Sequence, residues 1–529
     1  MRTSDFIKSK NSKRALAAVA ALTTLSLLLT SCSSVKGFFK GTAPTGVPAP
    51  ISETAPTPEL QSYYSQPLEL AACNNGFLCG NVSVPLDYSD PTGAEITLSV
   101  IFAEAGSGKA KGTILFNPGG PGASGVQFIK DNFGQLGTER LRDNFNIVGF
   151  DPRGVGGSWP IKCLTPAETD QMLYSSQTDP IGSPADLKKT YAQAKKFAAA
   201  CQKQSTKILP HVDTVSAARD LDILRTVFGD KKLNYLGYSY GTQLGETYAA
   251  LFPKKVGHLV LDGVIDPTMS SEQQSLTQLK GFDHELKAFL ADCLKNAKTA
   301  TCPFKGNLKN ALATVKATLV YLETHDVATS DPKRPLTVWS AETGMMMPLY
   351  GTDYWPYLKS AFDQLLNQSD GSTFLALADL YNDRDANGKY KSNTLEANTA
   401  ISCLDDRASG TMADMVAQNK RLLKVSPTLG KYWSYGAIMC SVWPYPVVAP
   451  PASYAATGSD PILVIGTTGD PATPYSQAVN VANNVLDNGH LVTWNGDGHT
   501  AYGRSNECVA NAVDDYFIKS VVPATDPKC

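Results

Sequence analysis

The sequence predicts an α/β fold in which a doubly wound, mostly parallel sheet is interrupted by a mainly helical insertion. From about residue 80, short β-rich runs alternate with helical stretches, which is typical of such a sheet. The alternation stops after Asp266-Pro267 and resumes near residue 446. We therefore expect a sheet domain at 66–267 and 446–529, with residues 268–445 forming a helical lid domain inserted into it.

The predicted strands are short apolar runs followed by loops rich in glycine or proline. An opening antiparallel pair is predicted at 82–84 and 96–102. Buried parallel strands are predicted at 113–116, 147–150, 234–236, 259–261, 462–465 and 490–494. Chemistry in such folds gathers at the carboxyl ends of the strands, so the loops after these runs are where we look for a site.

The predicted helices have apolar residues at spacings of three and four. Residues 213–228 read as an amphipathic crossover helix, because Val215, Ala218, Leu221 and Leu224 recur at that spacing. The insertion has similar stretches near 272–298, 307–323 and 411–424. Two further helices are predicted after the insertion, near 476–486 and 506–520.

Composition excludes several classes of function. The chain has 529 residues, of which 43% are apolar and 18% charged, and this balance predicts a globular protein with a large core. The formal net charge is -2, and no Lys/Arg cluster interleaved with aromatic residues follows the N-terminal leader, so we expect no nucleic-acid partner. With six histidines and no C-x-x-C, a zinc site is not expected. The catalytic residues predicted below need neither a metal nor an organic cofactor.

The N-terminus resembles a bacterial export signal. Five basic residues lie within the first fourteen, and residues 15–29 carry no charge, so we predict a signal peptide at 1–31. The tetrapeptide ending at Cys32 resembles a lipobox, in which the cysteine becomes the lipid-bearing first residue of the mature protein. Residues 32–65 are rich in proline and small residues and read as a flexible tether.

These features predict an exported protein. It would be a cell-envelope lipoprotein that touches the membrane only through a lipid on Cys32. If Cys32 merely lies near an ordinary signal-peptidase site, the protein is secreted instead. An uncleaved anchor is the third alternative, although fifteen uncharged residues are short for a membrane-spanning helix.

The other ten cysteines predict disulfide bonds, because their number is even in a chain expected to be exported. Pairing neighbours along the chain gives five plausible short loops, although sequence alone does not fix the connectivity. The ten residues are Cys73, Cys79, Cys163, Cys201, Cys293, Cys302, Cys403, Cys440, Cys508 and Cys529.

Residues 237–241 form a G-x-S-x-G motif centred on Ser239. The motif follows a predicted buried strand and precedes a helical stretch that begins near Thr242. That context is what the nucleophile elbow of the α/β-hydrolase fold requires, whereas a plain glycine-rich turn needs neither element. We therefore predict that Ser239 is a catalytic nucleophile.

A serine nucleophile needs a histidine base and a carboxylate that orients the base. His499 lies in a loop of small residues just past a predicted strand, and we predict that it is the base. Asp470 follows the strand before it and completes the chain order Ser, Asp, His that is expected of this fold. Asp262 and Asp497 are rival acids. The remaining histidines are expected to be structural, and they are His211, His258, His284, His325 and His490.

Two further features surround the predicted triad. Residues 117–122 (N-P-G-G-P-G) follow a predicted strand where this fold builds part of its oxyanion hole, so we predict the N–H groups of Gly120 and Tyr240 as donors. Thr473, three residues after Asp470, would cap a helix or bond the carboxylate, and the sequence favours the cap.

These motifs, with D-P-R-G at 151–154 and A-I-S-C-L-D at 400–405, resemble the secreted tripeptidyl aminopeptidases of actinobacteria. Those enzymes are α/β-hydrolases related to the proline iminopeptidases, and the resemblance runs from about residue 70 to the C-terminus. One departure is Asn117, because the iminopeptidases usually have histidine there. The resemblance therefore points to the tripeptidyl branch.

The resemblance implies an exopeptidase that cuts a short piece, a tripeptide, from the free N-terminus of a peptide or protein. Such an enzyme needs an anion for the substrate's ammonium group. Asp405 matches the family motif and Asp406 stands beside it, so either is a candidate. The alternative is that Asp405 only caps a helix next to a disulfide.

Two other functions remain open at this point. A carboxylesterase or lipase would use the same triad, and a non-catalytic binding lipoprotein would retain the scaffold without the reaction. The three predicted triad residues argue against the second alternative.

Overall fold

The computed structural model describes residues 46–73, 76–296, 302–406 and 411–529. The predicted signal peptide, Cys32 and the first part of the predicted tether lie outside the described residues. Within these ranges no helix is long and apolar enough to cross a membrane.

Nine strands form one sheet in the order β1-β2-β3-β5-β4-β6-β7-β8-β9. The pairings from β1 through β3 to β5 are antiparallel, and the remaining ones are parallel. The predicted antiparallel pair and all six predicted parallel strands are present, so the fold class is confirmed. The strands are β1 (Leu70–Ala72), β2 (Leu78–Pro85), β3 (Glu95–Ala103), β4 (Thr113–Asn117), β5 (Asn146–Phe150), β6 (Leu233–Tyr238), β7 (Val256–Asp262), β8 (Ile462–Gly469) and β9 (Gly489–Asp497).

The edge strand β1 was not predicted. It has three residues and is largely exposed, so it lacks the apolar run that marks a buried strand. The sheet therefore begins one strand earlier than the sequence pattern indicates.

Helices cover both faces of the sheet and fill the insertion. They are α1 (Gln61–Tyr64), α2 (Gly125–Asn132), α3 (Glu139–Asn144), α4 (Pro166–Tyr174), α5 (Pro184–Gln204), α6 (Thr214–Val227), α7 (Tyr240–Leu251), α8 (Ser271–Lys295), α9 (Leu308–Leu322), α10 (Val338–Met346), α11 (Trp355–Gln368), α12 (Ser372–Tyr381), α13 (Thr394–Asp405), α14 (Met412–Val425), α15 (Ile438–Ser441), α16 (Ser476–Asn480) and α17 (Glu507–Lys519). A π-helical turn, Val481–Val485, continues α16.

The crossover helix α6 shows how the sequence sets an element in place. Asp213 caps its N-terminus by accepting a hydrogen bond from the Ser216 N–H. Leu221 and Leu224 are fully buried in the apolar cluster that contains one face of the sheet. The helix ends at Val227, just before Gly229, which has a φ of 82°.

The chain between β7 and β8 is helical, from α8 to α15. Most of it packs around its own apolar cluster, which includes Phe282, Phe289 and Phe362. Helix α13 is different, because Ala397 and Ile401 belong to the cluster of the sheet. The predicted domain boundaries at 268 and 445 stay a prediction.

Five disulfides link neighbours along the chain, so the predicted disulfide bonds are confirmed. Such bonds fit an exported protein, because they persist in oxidising compartments. The pairs are Cys73–Cys79, Cys163–Cys201, Cys293–Cys302, Cys403–Cys440 and Cys508–Cys529.

Candidate active site

The carboxyl ends of β4, β6, β7, β8 and β9 meet at one edge of the sheet. The parallel register places Asn117 beside Gly237, and Tyr238 beside Asp262. The loops that follow these strands therefore converge, as expected for the ligand-binding edge of an open α/β sheet.

Ser239 occupies a sharp turn between β6 and α7. Its φ is 55° and its ψ is -125°, a backbone conformation that costs a non-glycine residue about 1–3 kcal/mol. The Ser239 N–H donates to the Asp262 carbonyl at 2.9 Å, which ties the turn to the end of β7. Helix α7 begins at Tyr240, earlier than the predicted start near Thr242, so the turn is tighter than the sequence indicates.

The glycines on either side of Ser239 are required by close approach. A Cβ atom on Gly237 would lie 2.4 Å from the Gly241 carbonyl oxygen. A Cβ atom on Gly241 would lie 2.7 Å from the Asn117 carbonyl oxygen. Both distances are shorter than van der Waals contact, so neither position accepts a side chain without movement of the backbone.

The glycine-rich loop after β4 packs against this turn. A Cβ atom on Gly119 would lie 3.1 Å from the Tyr240 backbone nitrogen. The Gly119 N–H donates to the Asn117 side-chain oxygen at 2.9 Å. Among the described residues the Gly120 N–H has no acceptor. The Tyr240 N–H has none within its own helix, because Tyr240 is the first residue of α7.

His499 is held by Asp470. The ring Nδ1 lies 2.9 Å from each carboxylate oxygen of Asp470. Asp470 is 2% exposed and also accepts N–H groups from Ala472 and Thr473. A carboxylate in this position holds the proton on Nδ1 and leaves Nε2 free to accept one.

Thr473 bonds the carboxylate rather than capping a helix, so the favoured interpretation of this residue was wrong. Its Oγ1 donates to Asp470 Oδ2 at 3.0 Å and lies 3.4 Å from His499 Nδ1. The next helix, α16, has Tyr475 as its N-cap. Asp470 itself accepts the N–H groups that follow it, as aspartate does in a turn.

The imidazole lies over the segment that holds Ser239. A Cβ atom on Gly263 would be 3.0 Å from His499 Cε1, and Gly263 directly follows the residue that binds the Ser239 N–H. His499 Nε2 is buried and has no hydrogen-bond partner among the described residues, Ser239 Oγ included. Catalytic hydrogen bonds are often long without substrate and tighten when it binds.

The two rival acids have other partners. Asp262 accepts the N–H groups of Ala501 and Tyr502, at 2.8–3.0 Å. Burial raises the pKa of Asp262 to about 6. Asp497 lies at the end of β9. Its partner there is Glu285, whose pKa is raised first by burial and then by the charge of Asp497. Asp470 alone among these three bonds the ring of His499 in the described structure.

Asp405 and Asp406, the predicted ammonium anchors, are both engaged. Asp405 accepts the Thr214 backbone N–H at 2.8 Å and the Thr214 hydroxyl at 2.5 Å. The same hydroxyl lies 2.5 Å from the Tyr240 hydroxyl. Burial raises the pKa of Asp405 to about 7. Asp406 is exposed and accepts the N–H and hydroxyl of Ser271.

Comparison with known proteins gives one consistent result. The TAP-like protein family matches residues 426–529, which contain β8, β9 and α17. Serine protease Hip1 of Mycobacterium tuberculosis is 34% identical over 96% of both chains. Carboxylesterase B of Mycobacterium tuberculosis is 37% identical over 85% of this chain and 86% of its own. Tripeptidyl aminopeptidase of Streptomyces lividans is 30% identical over 85% of this chain and 83% of its own.

The chain belongs to the TAP-like family of α/β-hydrolases. The predicted family resemblance and the predicted enzyme class, serine hydrolase, are thereby confirmed. The nine-stranded, mostly parallel sheet is the fold that this class requires.

In this TAP-like chain the insertion brings aromatic residues to the site that the sequence analysis did not single out. The Tyr350 backbone carbonyl accepts the backbone N–H of His499 at 2.9 Å. The two rings meet edge to face, with their centroids 5.6 Å apart. The ring centroids of Tyr381 and Phe282 lie 6.3 Å and 5.4 Å from that of Tyr350. Tyr350 of the insertion therefore contacts the imidazole, and the other two aromatic rings pack against Tyr350.

A second residue of the insertion that the sequence analysis did not single out is Glu342, a carboxyl group on α10. Burial raises its pKa to about 7, although the indole of Trp433 opposes the shift. Burial is the main cause of the raised pKa of Tyr350 and of Tyr381, and the charge of Glu342 adds to both shifts. Nothing in the helical pattern of 338–346 distinguishes Glu342 from a solvent-facing residue, so sequence reasoning had no signal for it.

Proposed function

We propose that this enzyme is an exported serine exopeptidase that releases tripeptides from the free N-termini of peptides or proteins. Ser239 is the nucleophile, His499 the general base and Asp470 the residue that orients it. The observation that carries this assignment is the Asp470–His499 pair, with an unpartnered Nε2 beside the segment that bonds the Ser239 turn. The relatives named serine protease and tripeptidyl aminopeptidase support the substrate class.

The reaction follows from the roles of these groups. Ser239 Oγ attacks the scissile carbonyl carbon while His499 Nε2 takes its proton. His499 then gives that proton to the leaving amine, and the tripeptide stays bound to Ser239 as an ester. Water, deprotonated by His499, attacks the ester and releases the tripeptide. Asp470 stabilises the imidazolium in both halves.

Two backbone N–H groups are available for the oxyanion, those of Gly120 and Tyr240. The Gly120 N–H has no acceptor among the described residues, the Tyr240 N–H has none within its own helix, and the close approach of Gly119 to Tyr240 brings the two loops together. Donors fixed before the reaction stabilise the developing charge without reorganisation, and losing one such donor costs about 10²–10³-fold in rate. We assign the oxyanion hole to this pair.

For the substrate's ammonium group we propose Glu342 ahead of Asp405 and Asp406. Asp405 and Asp406 already accept hydrogen bonds from Thr214 and Ser271. The charge of Glu342 acts on Tyr350, whose ring borders His499 and also suits a cation. A desolvated carboxyl group gains most from an ammonium partner, because the pair removes the cost of its burial.

The deciding experiment compares two peptide anilides that differ only in a free or an acetylated N-terminus. We expect the wild type to cleave the free peptide and to spare the acetylated one. Glu342→Gln should raise KM for the free peptide and reduce the difference between the two, whereas Asp405→Asn should leave that difference in place. Ser239→Ala should remove turnover altogether, and turnover in that variant would refute the nucleophile assignment.

The pH profile adds an independent check. Burial raises the pKa of Glu342 to about 7, so the carboxyl group gains its charge as the pH rises through that value, and a peptide ammonium group loses its proton near pH 8. We therefore expect the preference for a free N-terminus to be strongest between these values and to fall at pH 6. A flat preference from pH 6 to pH 8 would argue against Glu342.

The second candidate is a carboxylesterase, since the relative named carboxylesterase B is 37% identical. Equal cleavage of both peptides, with faster hydrolysis of short-acid esters, would support that function and retain the same triad. The predicted lipid on Cys32 is tested separately, by mass spectrometry of the mature N-terminus. A diacylglyceryl mass on the cysteine is expected, and an unmodified N-terminus would mean a secreted enzyme.

A further inference from the structure

Helix α8 and the end of β9 bring together three potential metal ligands. His284 and Glu285 lie on α8, and Asp497 is the last residue of β9. One ligand atom from each side chain lies within 4.8 Å of the other two. Within the described ranges this is the one group of three such side chains that meets this spacing.

Glu285 is a buried carboxyl group for which the described residues supply no hydrogen-bond donor. Its side chain is 0% exposed, and neither carboxylate oxygen accepts a hydrogen bond from a described residue. An unpaired buried carboxylate costs several kcal/mol. Glu285 therefore requires a partner that the protein's own donors do not supply.

Another acid, Asp497, lies within 4.8 Å of Glu285. A Cβ atom built on Gly469 would lie 2.9 Å from Glu285 Oε1 and 2.3 Å from Asp497 Oδ1, so the two oxygens converge above a residue that has no side chain. The Gly496 carbonyl oxygen lies 2.9 Å from the same point. The Gly496 carbonyl already accepts the Thr468 hydroxyl, but no described donor reaches the two carboxylate oxygens, which therefore need a proton or a cation between them.

We propose that His284, Glu285 and Asp497 bind a divalent transition-metal ion such as Zn²⁺. His284 is exposed and supplies the imidazole that distinguishes such an ion from Ca²⁺ or Mg²⁺, which prefer oxygen ligands alone. The alternative is a proton shared by Glu285 and Asp497.

The site would fasten the insertion to the loop that carries the catalytic base. Asp497 is two residues before His499, and Glu285 belongs to the first helix of the insertion. Bound metal would thus stabilise the contact between α8 and the end of β9 without touching the reacting atoms. This inference is independent of the substrate, because it concerns binding and stability rather than turnover.

The test measures Zn²⁺ binding and the melting temperature of the mature protein after treatment with a chelator. We expect one equivalent of Zn²⁺ to bind and to raise the melting temperature, because the ion binds the folded state. Affinity should fall at least about tenfold in His284→Ala and in Glu285→Gln. His490→Ala, which removes a histidine elsewhere on β9, is the matched control and should bind as the wild type does.

A further variant guards against binding at the catalytic histidine. His499→Ala should keep both the stoichiometry and the thermal shift, and loss of the shift in that variant would overturn the assignment. The proposal also fails if Zn²⁺ does not bind to the wild type. If, in addition, Glu285→Gln raises the melting temperature at pH 7, the result assigns the contact to a shared proton. Glu285→Gln is nearly isosteric, so it should fold.

Discussion

Two buried aspartates end neighbouring parallel strands and have different partners. Asp262 is the last residue of β7, and Asp470 follows the last residue of β8. They are 0% and 2% exposed. Asp262 accepts the backbone N–H groups of Ala501 and Tyr502, whereas Asp470 accepts from the ring of His499. Similar positions at the sheet edge therefore serve different purposes.

The difference shows that a position at the end of a strand marks an aspartate as a candidate partner for His499 but does not determine which aspartate bonds the ring. Asp262 fixes the backbone two and three residues after His499, and Asp470 fixes the ring itself. The choice depends on the turn at 467–470, which carries Asp470 past the end of its strand. We infer that one aspartate stabilises the loop and the other tunes the base.

The largest effect is expected at Asp470. Asp470→Asn should reduce kcat by about 10⁴-fold with little change in the melting temperature, because an amide would favour the wrong tautomer of His499. The measurement is kcat on the free peptide anilide beside a thermal melt. If Asp262→Asn produced the same loss of kcat and Asp470→Asn did not, the two roles would have to be exchanged.

A stability effect is expected at Asp262. Asp262→Ala leaves two backbone N–H groups unpaired in the core, each worth about 1–3 kcal/mol, so the free energy of unfolding should fall by about 2–5 kcal/mol. Asp262→Asn keeps an acceptor oxygen and should lose less. Urea unfolding of both variants measures this. An unchanged midpoint for Asp262→Ala would show that these hydrogen bonds are dispensable.

The sequence predicts the features that depend on neighbouring residues better than the contacts between distant segments. Local patterns predicted eight of the nine strands and the presence of disulfides, and they made neighbour pairing of the cysteines plausible without fixing it. Ser239 was predictable because the glycines around it are a local requirement of the turn. Which side chains meet across distant segments was harder, and Glu285 and Glu342 look like ordinary helix residues until the insertion folds over the sheet.

The pH dependence of stability should also separate the two aspartates. The pKa of Asp262 is raised to about 6 by burial, so the folded state holds its proton more tightly than the unfolded state. Its contribution to stability is present below about pH 4 and is lost as the pH rises to about 6, at up to about 1.4 kcal/mol per pH unit. Unfolding of wild type and Asp262→Asn at pH 4.5 and pH 6.5 tests this, because the non-titrating variant should gain relative to wild type at the higher pH. A constant difference between them would contradict the raised pKa.

The smallest effect is expected at Thr473, which bonds Asp470 and not Asp262. Thr473→Val keeps the shape of the side chain but removes the hydroxyl donor, and one such bond is worth about 0.5–1.5 kcal/mol, so kcat should fall about tenfold or less. Thr473→Ser restores the donor and should recover most of the rate. Because the lost bond orients the carboxylate, the pH profile of kcat should shift in Thr473→Val and return in Thr473→Ser. A loss of rate that serine does not rescue would mean that the methyl group, through packing, is what positions Asp470.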